Sequence, residues 1–326
     1  MRTVILMDSE TERKGIPKLL NRYAKVVRSY TLTASELRRE LGEADAIVTG
    51  GFGKVSKSEI ESAPKLKIIA VAAAGYESVD VQTATSRGIP VVRAGTADVE
   101  GVAEQAVGFM IMLAKKMNVA ISELRKGNWK YRNSPEALGS ELFGKTAGIV
   151  GFGMVGRALG RKASGMGMRL LVFDPYVKRK EVKGFGARFV GLKKLLALSD
   201  YVCLAAALTS ETRHAIGANE IELMKPGAFL INIARGGMID EEALFLALRK
   251  KRIAGAGLDV LEKEPPTDCP LLQLDNCIVT PHTAGATVER TSDIGRVIVR
   301  EVKMVLSGHP PSPANWINPK VKRLNE

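Results

Sequence analysis

The chain has 326 residues, of which 45% are hydrophobic and 25% charged, and its formal net charge is +13. These values are typical of a globular protein of two domains and exclude a disordered chain or a single small domain. Lys and Arg are spread along the chain and mostly interleaved with Asp and Glu, so we expect a basic surface rather than a nucleic-acid-binding arm or finger.

The sparse cysteines and histidines narrow the setting further. The three cysteines are scattered and the three histidines show no H-x-x-x-H spacing, so we expect neither a disulfide framework nor a metal site. The apolar run 4–7 ends at Asp8, so we expect no signal peptide, and the longest apolar run, 106–114, is less than half of the ~20 residues that a spanning helix needs. We therefore expect a cytoplasmic protein with no membrane partner.

The first hundred residues alternate between strand and helix patterns. Strands are predicted at residues 4–8, 26–30, 44–49, 66–72 and 91–94. Helices are predicted at residues 16–23 and 34–41 and from Glu59 onward, where Ser58 as N-cap and Glu61 would form a capping box. This alternation predicts a parallel sheet covered by helices.

The rest of the chain repeats the alternation after a connecting segment. Residues 99–116 carry apolar residues at helical spacing and predict one long helix. Further strands are predicted at residues 147–150, 170–173, 187–190, 201–205, 229–233, 255–260 and 277–280, followed by a helix at 288–306 and a Pro-rich tail that docks on the surface. Because the second series is inserted into the chain of the first, we predict one domain of residues 1–97 and 286–326 and another of residues 98–285.

A glycine run opens the second series. Gly151-Phe-Gly153-Met-Val-Gly156 lies between a predicted strand and a helical stretch, and the next strand ends at Asp174. Strand, glycine loop, helix, strand and terminal acid form the dinucleotide-binding unit, in which pyrophosphate lies at the helix N-terminus. Asp174 would accept hydrogen bonds from the adenosine ribose and repel a 2′-phosphate, which favours NAD. The basic run 178–180 leaves NADP open.

Polar segments follow three later predicted strands. They contain Arg235 before two glycines, the acids Asp259, Glu262 and Glu264, and His282 after a Thr-Pro pair. Taken singly, the acids also fit a solvated loop and a lone His is more often structural. Together the segments supply what hydride transfer to a carbonyl needs: a proton donor, a cationic fork for a carboxylate, and a carboxylate that orients the His and favours its protonated form.

These motifs resemble those of the D-isomer-specific 2-hydroxyacid dehydrogenase family, in particular its glyoxylate and hydroxypyruvate reductases. The resemblance runs from about residue 44 to 319, with the cofactor motif at 141–156 and the catalytic motifs at 232–237, 258–265 and 280–282. It implies an α/β fold of two doubly wound parallel-sheet domains, a Rossmann NAD-binding domain inserted into a flavodoxin-like substrate domain.

The same resemblance implies a role for each site residue. His282 would be the acid/base, Glu264 its partner, and Arg235 the group that holds the substrate carboxylate and carbonyl. Cofactor contacts would fall on Gly151, Gly153, Met154, Val155, Gly156, Asp174, Ala234, Asp259 and His282, and substrate contacts on Ala74, Gly75, Arg235 and His282. It also implies a homodimer built around residues 99–129 and reduction of a small 2-keto acid by NADH to the D-hydroxy acid.

Departures from the family pattern bear on the substrate. Glu264 favours hydroxy-acid chemistry, because the formate dehydrogenases of the superfamily pair their His with Gln. Three alanines at 205–207 replace a His and Pro that relatives commonly carry at the adenine edge, and Gln105 stands where many carry His. We expect glyoxylate or hydroxypyruvate as substrate.

Two alternatives stay open. Phosphoglycerate dehydrogenases carry an Arg near the substrate phosphate where residues 50–53 here read Gly-Gly-Phe-Gly, and no appended regulatory domain is expected, but Lys54 nearby keeps that activity open. The other alternative is an NAD-sensing interaction protein similar to the corepressors that resemble this family, which the high positive charge keeps open.

Overall fold

The computed structural model describes residues 2–73, 75–95 and 97–323, with only the main chain at positions 292, 322 and 323. The chain divides into two compact units, one of Met1–Asp98 with Ala286–Glu326 and the other of Val99–Gly285. Each unit contains one sheet, and every strand pairing within the two sheets is parallel.

All twelve strands predicted from the sequence form, each within two residues of the expected bounds. They are β1 Arg2–Leu6, β2 Ala24–Arg28, β3 Ala46–Thr49, β4 Ile68–Val71, β5 Val91–Arg93, β6 Thr146–Val150, β7 Arg169–Phe173, β8 Arg188–Phe189, β9 Tyr201–Leu204, β10 Phe229–Asn232, β11 Gly255–Leu258 and β12 Cys277–Val279. β1 and β2 begin two residues earlier than expected because they pair with each other from Arg2 opposite Ala24 onward.

Helices cover the sheets. They are α1 Glu10–Arg13, α2 Ile16–Leu20, α3 Ala34–Gly42, α4 Lys57–Glu61, α5 Val81–Ser86, α6 Val99–Ala114, α7 Met117–Arg125, α8 Met154–Gly165, α9 Arg179–Gly184, α10 Leu192–Leu198, α11 Ala218–Leu223, α12 Glu241–Arg249 and α13 Val288–Leu306. Short 3₁₀ turns lie at Ser29–Thr31, Trp129–Asn133, Pro135–Ala137, Gly236–Met238, Pro270–Gln273 and Pro319–Arg323.

One helix prediction was wrong in detail. The capping box of α4 uses Ser56 and Glu59 rather than Ser58 and Glu61. Both pairs have the same spacing, but the isolated β-bridge at Val55 ends directly before Ser56, so the helix begins there. The long connecting helix forms within two residues of its expected end, at Ala114. Lys116 then adopts φ +50°, and the separate helix α7, which was not predicted, follows.

The sheet of the first unit has the strand order β2-β1-β3-β4-β5. This is the flavodoxin-like order, in which the chain reverses direction across the sheet between β1 and β3. Every residue of β3 and β4 is buried. α13 and α2 pack on one apolar face of this sheet, and the Pro-rich tail docks on β5, where Trp316 forms an antiparallel bridge with Val92.

The sheet of the second unit has the order β12-β11-β10-β9-β6-β7-β8. Counted from β6, this is the Rossmann order with one added strand, and the reversal falls between β6 and β9. α6 and α8 pack together over one face of this sheet. Over the part of the chain that the structure describes, no helix is both long enough and apolar enough to cross a membrane.

Candidate active site

The glycine run forms the turn between β6 and α8, at the reversal point of the second sheet. Gly151 has φ +91°, and a Cβ on it would lie 2.6 Å from the Cα of Ala206, which follows β9. A Cβ on Gly156 would lie 2.1 Å from the carbonyl oxygen of Gly151. Only glycine therefore allows this turn to pass so close to its neighbours.

The N-terminus of α8 is open to a bound anion. Gly153 is the N-cap of this twelve-residue helix, and nothing lies within 4 Å of the position that a Cβ on Gly153 would take. Met154 is 43% exposed, and Val155 is half-buried. Unpaired N–H groups and the positive end of the helix dipole favour a pyrophosphate here. The turn therefore fits a dinucleotide cofactor.

Asp174 lies at the end of β7 beside this turn. Its Oδ2 accepts a hydrogen bond from the Phe152 N–H at 2.7 Å, and its Oδ1 accepts one from the Tyr176 N–H at 2.8 Å. The carboxylate is buried and so fixes the middle of the glycine run. The basic residues 178–180 that follow are exposed.

Arg235 lies on a turn that Asn232 shapes. The buried Asn232 side chain accepts from the Ala234 N–H at 3.0 Å and donates to the Arg235 carbonyl at 2.9 Å. The Arg235 guanidinium is half-buried and donates through Nη1 to the Ala234 carbonyl at 2.8 Å. The side-chain amide at the end of β10 therefore sets the direction in which Arg235 leaves the sheet.

Gly236 brings the Arg235 turn against the acidic segment after β11. A Cβ on Gly236 would lie 1.9 Å from the carbonyl carbon of Leu261 and 2.2 Å from the nitrogen of Glu262. These atoms belong to main chain and cannot move aside as a flexible side chain could. The predicted Arg and acidic segments are thus direct neighbours in the fold.

Asp259 organises the turn that carries His282. Its Oδ1 accepts from the Thr280 hydroxyl at 2.5 Å and the Thr283 N–H at 2.9 Å, and its Oδ2 accepts from the Ala284 N–H at 2.9 Å. The His282 N–H also donates to the Asp259 carbonyl at 2.9 Å. Asp259 is 2% exposed, so these bonds hold the turn, while its predicted contact with the nicotinamide stays a prediction.

His282 and Glu264 meet side chain to side chain. His282 Nδ1 lies 2.6 Å from Glu264 Oε2, and the Leu261 N–H holds Glu264 Oε1 at 3.0 Å. His282 adopts φ +53°, and its side chain is 50% exposed. Because Glu264 engages Nδ1, Nε2 is the nitrogen that can exchange a proton with a ligand.

A second cluster of charged side chains lies on the same acidic segment, and the sequence did not predict its contacts. Glu262 Oε1 lies 2.5 Å from Arg213 Nη2 and 3.0 Å from His214 Nε2. The Glu262 N–H donates to Glu241 Oε1 at 2.6 Å. Burial raises the pKa of the Glu241 carboxyl, and the charges of Glu262 and Glu264 raise it further.

The predicted substrate-binding residues Ala74 and Gly75 follow β4 in the first unit. Ala74 lies outside the residues that the structure describes, and Gly75 is half-buried. Sequence reasoning missed Asp8, which follows β1 and accepts hydrogen bonds from the N–H groups of Gly50 and Gly53 at 2.7 and 2.8 Å. Its place at the carboxyl end of a strand was the signal that could have revealed it.

Comparison with known proteins gives a consistent family. Residues 107–284 match the family model described as "D-isomer specific 2-hydroxyacid dehydrogenase, NAD binding domain". The chain is 39% identical over 292 residues to a D-3-phosphoglycerate dehydrogenase of Methanocaldococcus jannaschii, covering 89% of this chain and 55% of that protein. It is also 39% identical over 289 residues to a glyoxylate reductase of Thermococcus litoralis, covering 87% of each.

A solved structure agrees. A D-lactate dehydrogenase of Aquifex aeolicus, complexed with NAD and lactic acid, has a TM-score of 0.84 and 28% identity over 97% of this chain and 99% of that one. The chain spans about half the length of the first phosphoglycerate dehydrogenases it matches, 55% and 53%. The NAD-binding match covers more than half of the sequence, and the chain belongs to the D-isomer specific 2-hydroxyacid dehydrogenase family.

Proposed function

We propose that this protein is an NAD(H)-dependent oxidoreductase that interconverts a small 2-keto acid and its D-2-hydroxy acid. The observation that carries the proposal is the pair of His282 Nδ1 and Glu264 Oε2 at 2.6 Å, on the segment against which the Arg235 turn packs. An oriented acid/base and a guanidinium on neighbouring loops form the set of groups that carbonyl reduction requires.

The three side chains have separate tasks in this proposal. Arg235 binds the substrate carboxylate through its N–H groups and polarises the neighbouring carbonyl. Glu264 orients His282, whose Nε2 gives a proton to the carbonyl oxygen during reduction and takes it back during oxidation. When bound, NADH supplies the hydride for C2.

We propose NAD rather than NADP as cofactor. The Asp174 carboxylate at the end of β7 would accept hydrogen bonds from ribose hydroxyls and repel a 2′-phosphate, whereas the exposed run 178–180 would attract one. Fluorescence titration should give an NADH affinity about 10-fold or more above that for NADPH. Asp174→Asn, which removes the charge, should narrow the difference, and equal affinities in the unmodified protein would contradict the choice.

We propose glyoxylate or hydroxypyruvate as substrate. The glyoxylate reductase of T. litoralis matches over 87% of its own length, which supports the assignment. The equally similar phosphoglycerate dehydrogenase of M. jannaschii favours a second candidate, the oxidation of phosphoglycerate. The turn at residues 50–53 contains no Arg, but Lys54 beside it is exposed and could approach a phosphate.

A homodimer built around residues 99–129 is also proposed. α7 buries none of its side chains fully within one chain, and its large hydrophobics Ile121 and Leu124 are exposed, as is the nearby Trp129. Contact with a second copy would remove this apolar surface from water. Light scattering should give twice the 35.1 kDa chain mass, and Leu124→Glu should lower it toward a single chain.

NADH oxidation against a panel of 2-keto acids, including 3-phosphohydroxypyruvate, tests the activity. His282→Ala should lower kcat by about 10²–10⁴-fold, as removal of a general acid does, while His309→Ala, a change at an exposed His of the tail, should not. Undiminished turnover in His282→Ala would refute the role. No turnover by the wild type, with NADH-dependent capture of a protein partner, would favour the NAD-sensing alternative.

A further inference from the structure

The side chain of Lys14 joins two turns of the first unit. Its Nζ donates to the Gly50 carbonyl at 3.0 Å and to the Ala72 carbonyl at 2.8 Å. Gly50 is the residue directly after β3 and Ala72 the residue directly after β4. One ammonium therefore bridges the carboxyl ends of two adjacent strands, next to the point where the strand order of this sheet reverses, which is where ligands bind in open α/β sheets.

The turn at residues 50–53 is held from both sides by opposite charges. Asp8 Oδ2 accepts from the N–H groups of Gly50 and Gly53 and from the Thr49 hydroxyl at 2.9 Å, while Lys14 holds the Gly50 carbonyl. A carboxylate on the donors and an ammonium on the acceptor leave little freedom to a segment rich in glycine.

Lys14 also fixes the direction of the peptide bond that follows β4. The peptide bond between residues 72 and 73 is trans, so its carbonyl and its N–H point to opposite sides. Because Lys14 holds the Ala72 carbonyl, it also sets the direction of the Ala73 N–H at the start of the segment that contains Gly75. The resemblance to the family implies substrate contacts at Ala74 and Gly75, which follow Ala73 in the chain.

Lys14 is itself firmly placed. A Cβ on Gly295 of α13 would lie 2.1 Å from the Lys14 carbonyl oxygen, so that helix packs directly on its main chain. Burial lowers the pKa of the Lys14 ammonium, the charge of Arg290 lowers it further, and Glu10 and Asp8 act in the opposite direction. Hydrogen bonds from a partly desolvated ammonium are stronger than those at a surface.

We infer that Lys14 is a positioning residue for the substrate, acting through the peptide bond between Ala72 and Ala73 at the end of β4, which it ties to the turn at residues 50–53. The inference rests on the proposed function, and it adds a residue that does not itself touch the substrate. Loss of the ammonium would let the peptide bond after Ala72 turn, which weakens substrate binding in the ground state and the transition state alike. KM for the 2-keto acid then rises while kcat changes little.

The test compares Lys14→Met with Lys14→Arg and with Lys18→Met, a change of an exposed lysine on α2. We expect Lys14→Met to raise KM for the keto acid about 10-fold, with kcat within about threefold and KM for NADH unchanged. Lys14→Arg, which keeps the charge and the donors, should recover most of the loss, and Lys18→Met should match the wild type.

Hydrogen–deuterium exchange separates this inference from the proposed function. Amide exchange in residues 50–53 and 73–76 should rise in Lys14→Met and not in Lys18→Met, whatever the substrate is. Unchanged exchange, or faster exchange with an unchanged KM, in an active enzyme overturns the inference alone. A wild type that reduces no 2-keto acid overturns the proposed function, and the substrate role of Lys14 with it.

Discussion

His282 Nδ1 and Glu264 Oε2 are 2.6 Å apart, and the main-chain N–H of Leu261 holds the other oxygen of the same carboxylate. The ring is therefore oriented by a carboxylate that is itself anchored to the backbone. The two residues are 18 positions apart in sequence. They meet because β11 and β12 are neighbouring parallel strands and both end at this edge of the sheet.

Glu264→Gln keeps a hydrogen-bond acceptor near His282 and removes the negative charge. We expect kcat/KM for keto acid reduction to fall about 10–100-fold, because the ring that gives the proton loses the carboxylate that orients it. Steady-state kinetics with the keto acid measure this, and Glu262→Gln, which alters an acid bound to Arg213 and His214, serves as control.

Arg235→Lys tests the geometry of the cation rather than its charge. A lysine ammonium cannot make the two parallel hydrogen bonds that a guanidinium makes to a carboxylate, so we expect kcat/KM to drop about 10²-fold, mostly through KM. Arg249→Lys, at an exposed position of α12, should leave both constants unchanged. An Arg235→Lys enzyme with wild-type KM would contradict the proposed carboxylate contact.

Gly236→Ala tests the close approach of the Arg235 turn to residues 261 and 262. The added Cβ would overlap main-chain atoms of Leu261, so the two segments must separate, at a cost of about 1–3 kcal/mol or more in the free energy of unfolding. We also expect kcat/KM of the folded protein to fall, because Arg235 moves with its turn. Gly227→Ala, where nothing lies within 4 Å of the new Cβ, is the matched control, and equal melting temperatures would contradict the overlap.

Glu241→Gln tests the half-buried carboxyl beside the acidic segment. The pKa of Glu241 is raised in the folded protein, first by burial, so the folded state holds this proton more firmly than the unfolded state does. The contribution of this proton to stability is therefore present below 4.5, the ordinary pKa of a Glu carboxyl, and is lost as pH rises through the raised pKa of the folded state. Glu241→Gln should raise the melting temperature relative to the wild type near pH 7 but not near pH 4. Glu242→Gln, a change at the exposed neighbour, should not raise it at either pH.

The strands and the glycine loop could be predicted because the sequence patterns that mark them are local. Each buried parallel strand reads as a short apolar run, and the glycine spacing reflects contacts between residues only a few positions apart, as between Gly151 and Gly156. The same rule, that ligands meet the ends of strands, brought Arg235, Glu264 and His282 together as candidates.

Contacts between distant segments could not be predicted. Lys14 meets carbonyls 36 and 58 positions away, and Glu262 meets His214 across 48, so neither contact leaves a periodic trace in the sequence. The cap at Ser56 was missed because Ser58 and Glu61 have the same spacing as Ser56 and Glu59. The residue types at the strand ends follow from sequence, whereas which charge holds which turn depends on the order in which the strands lie side by side.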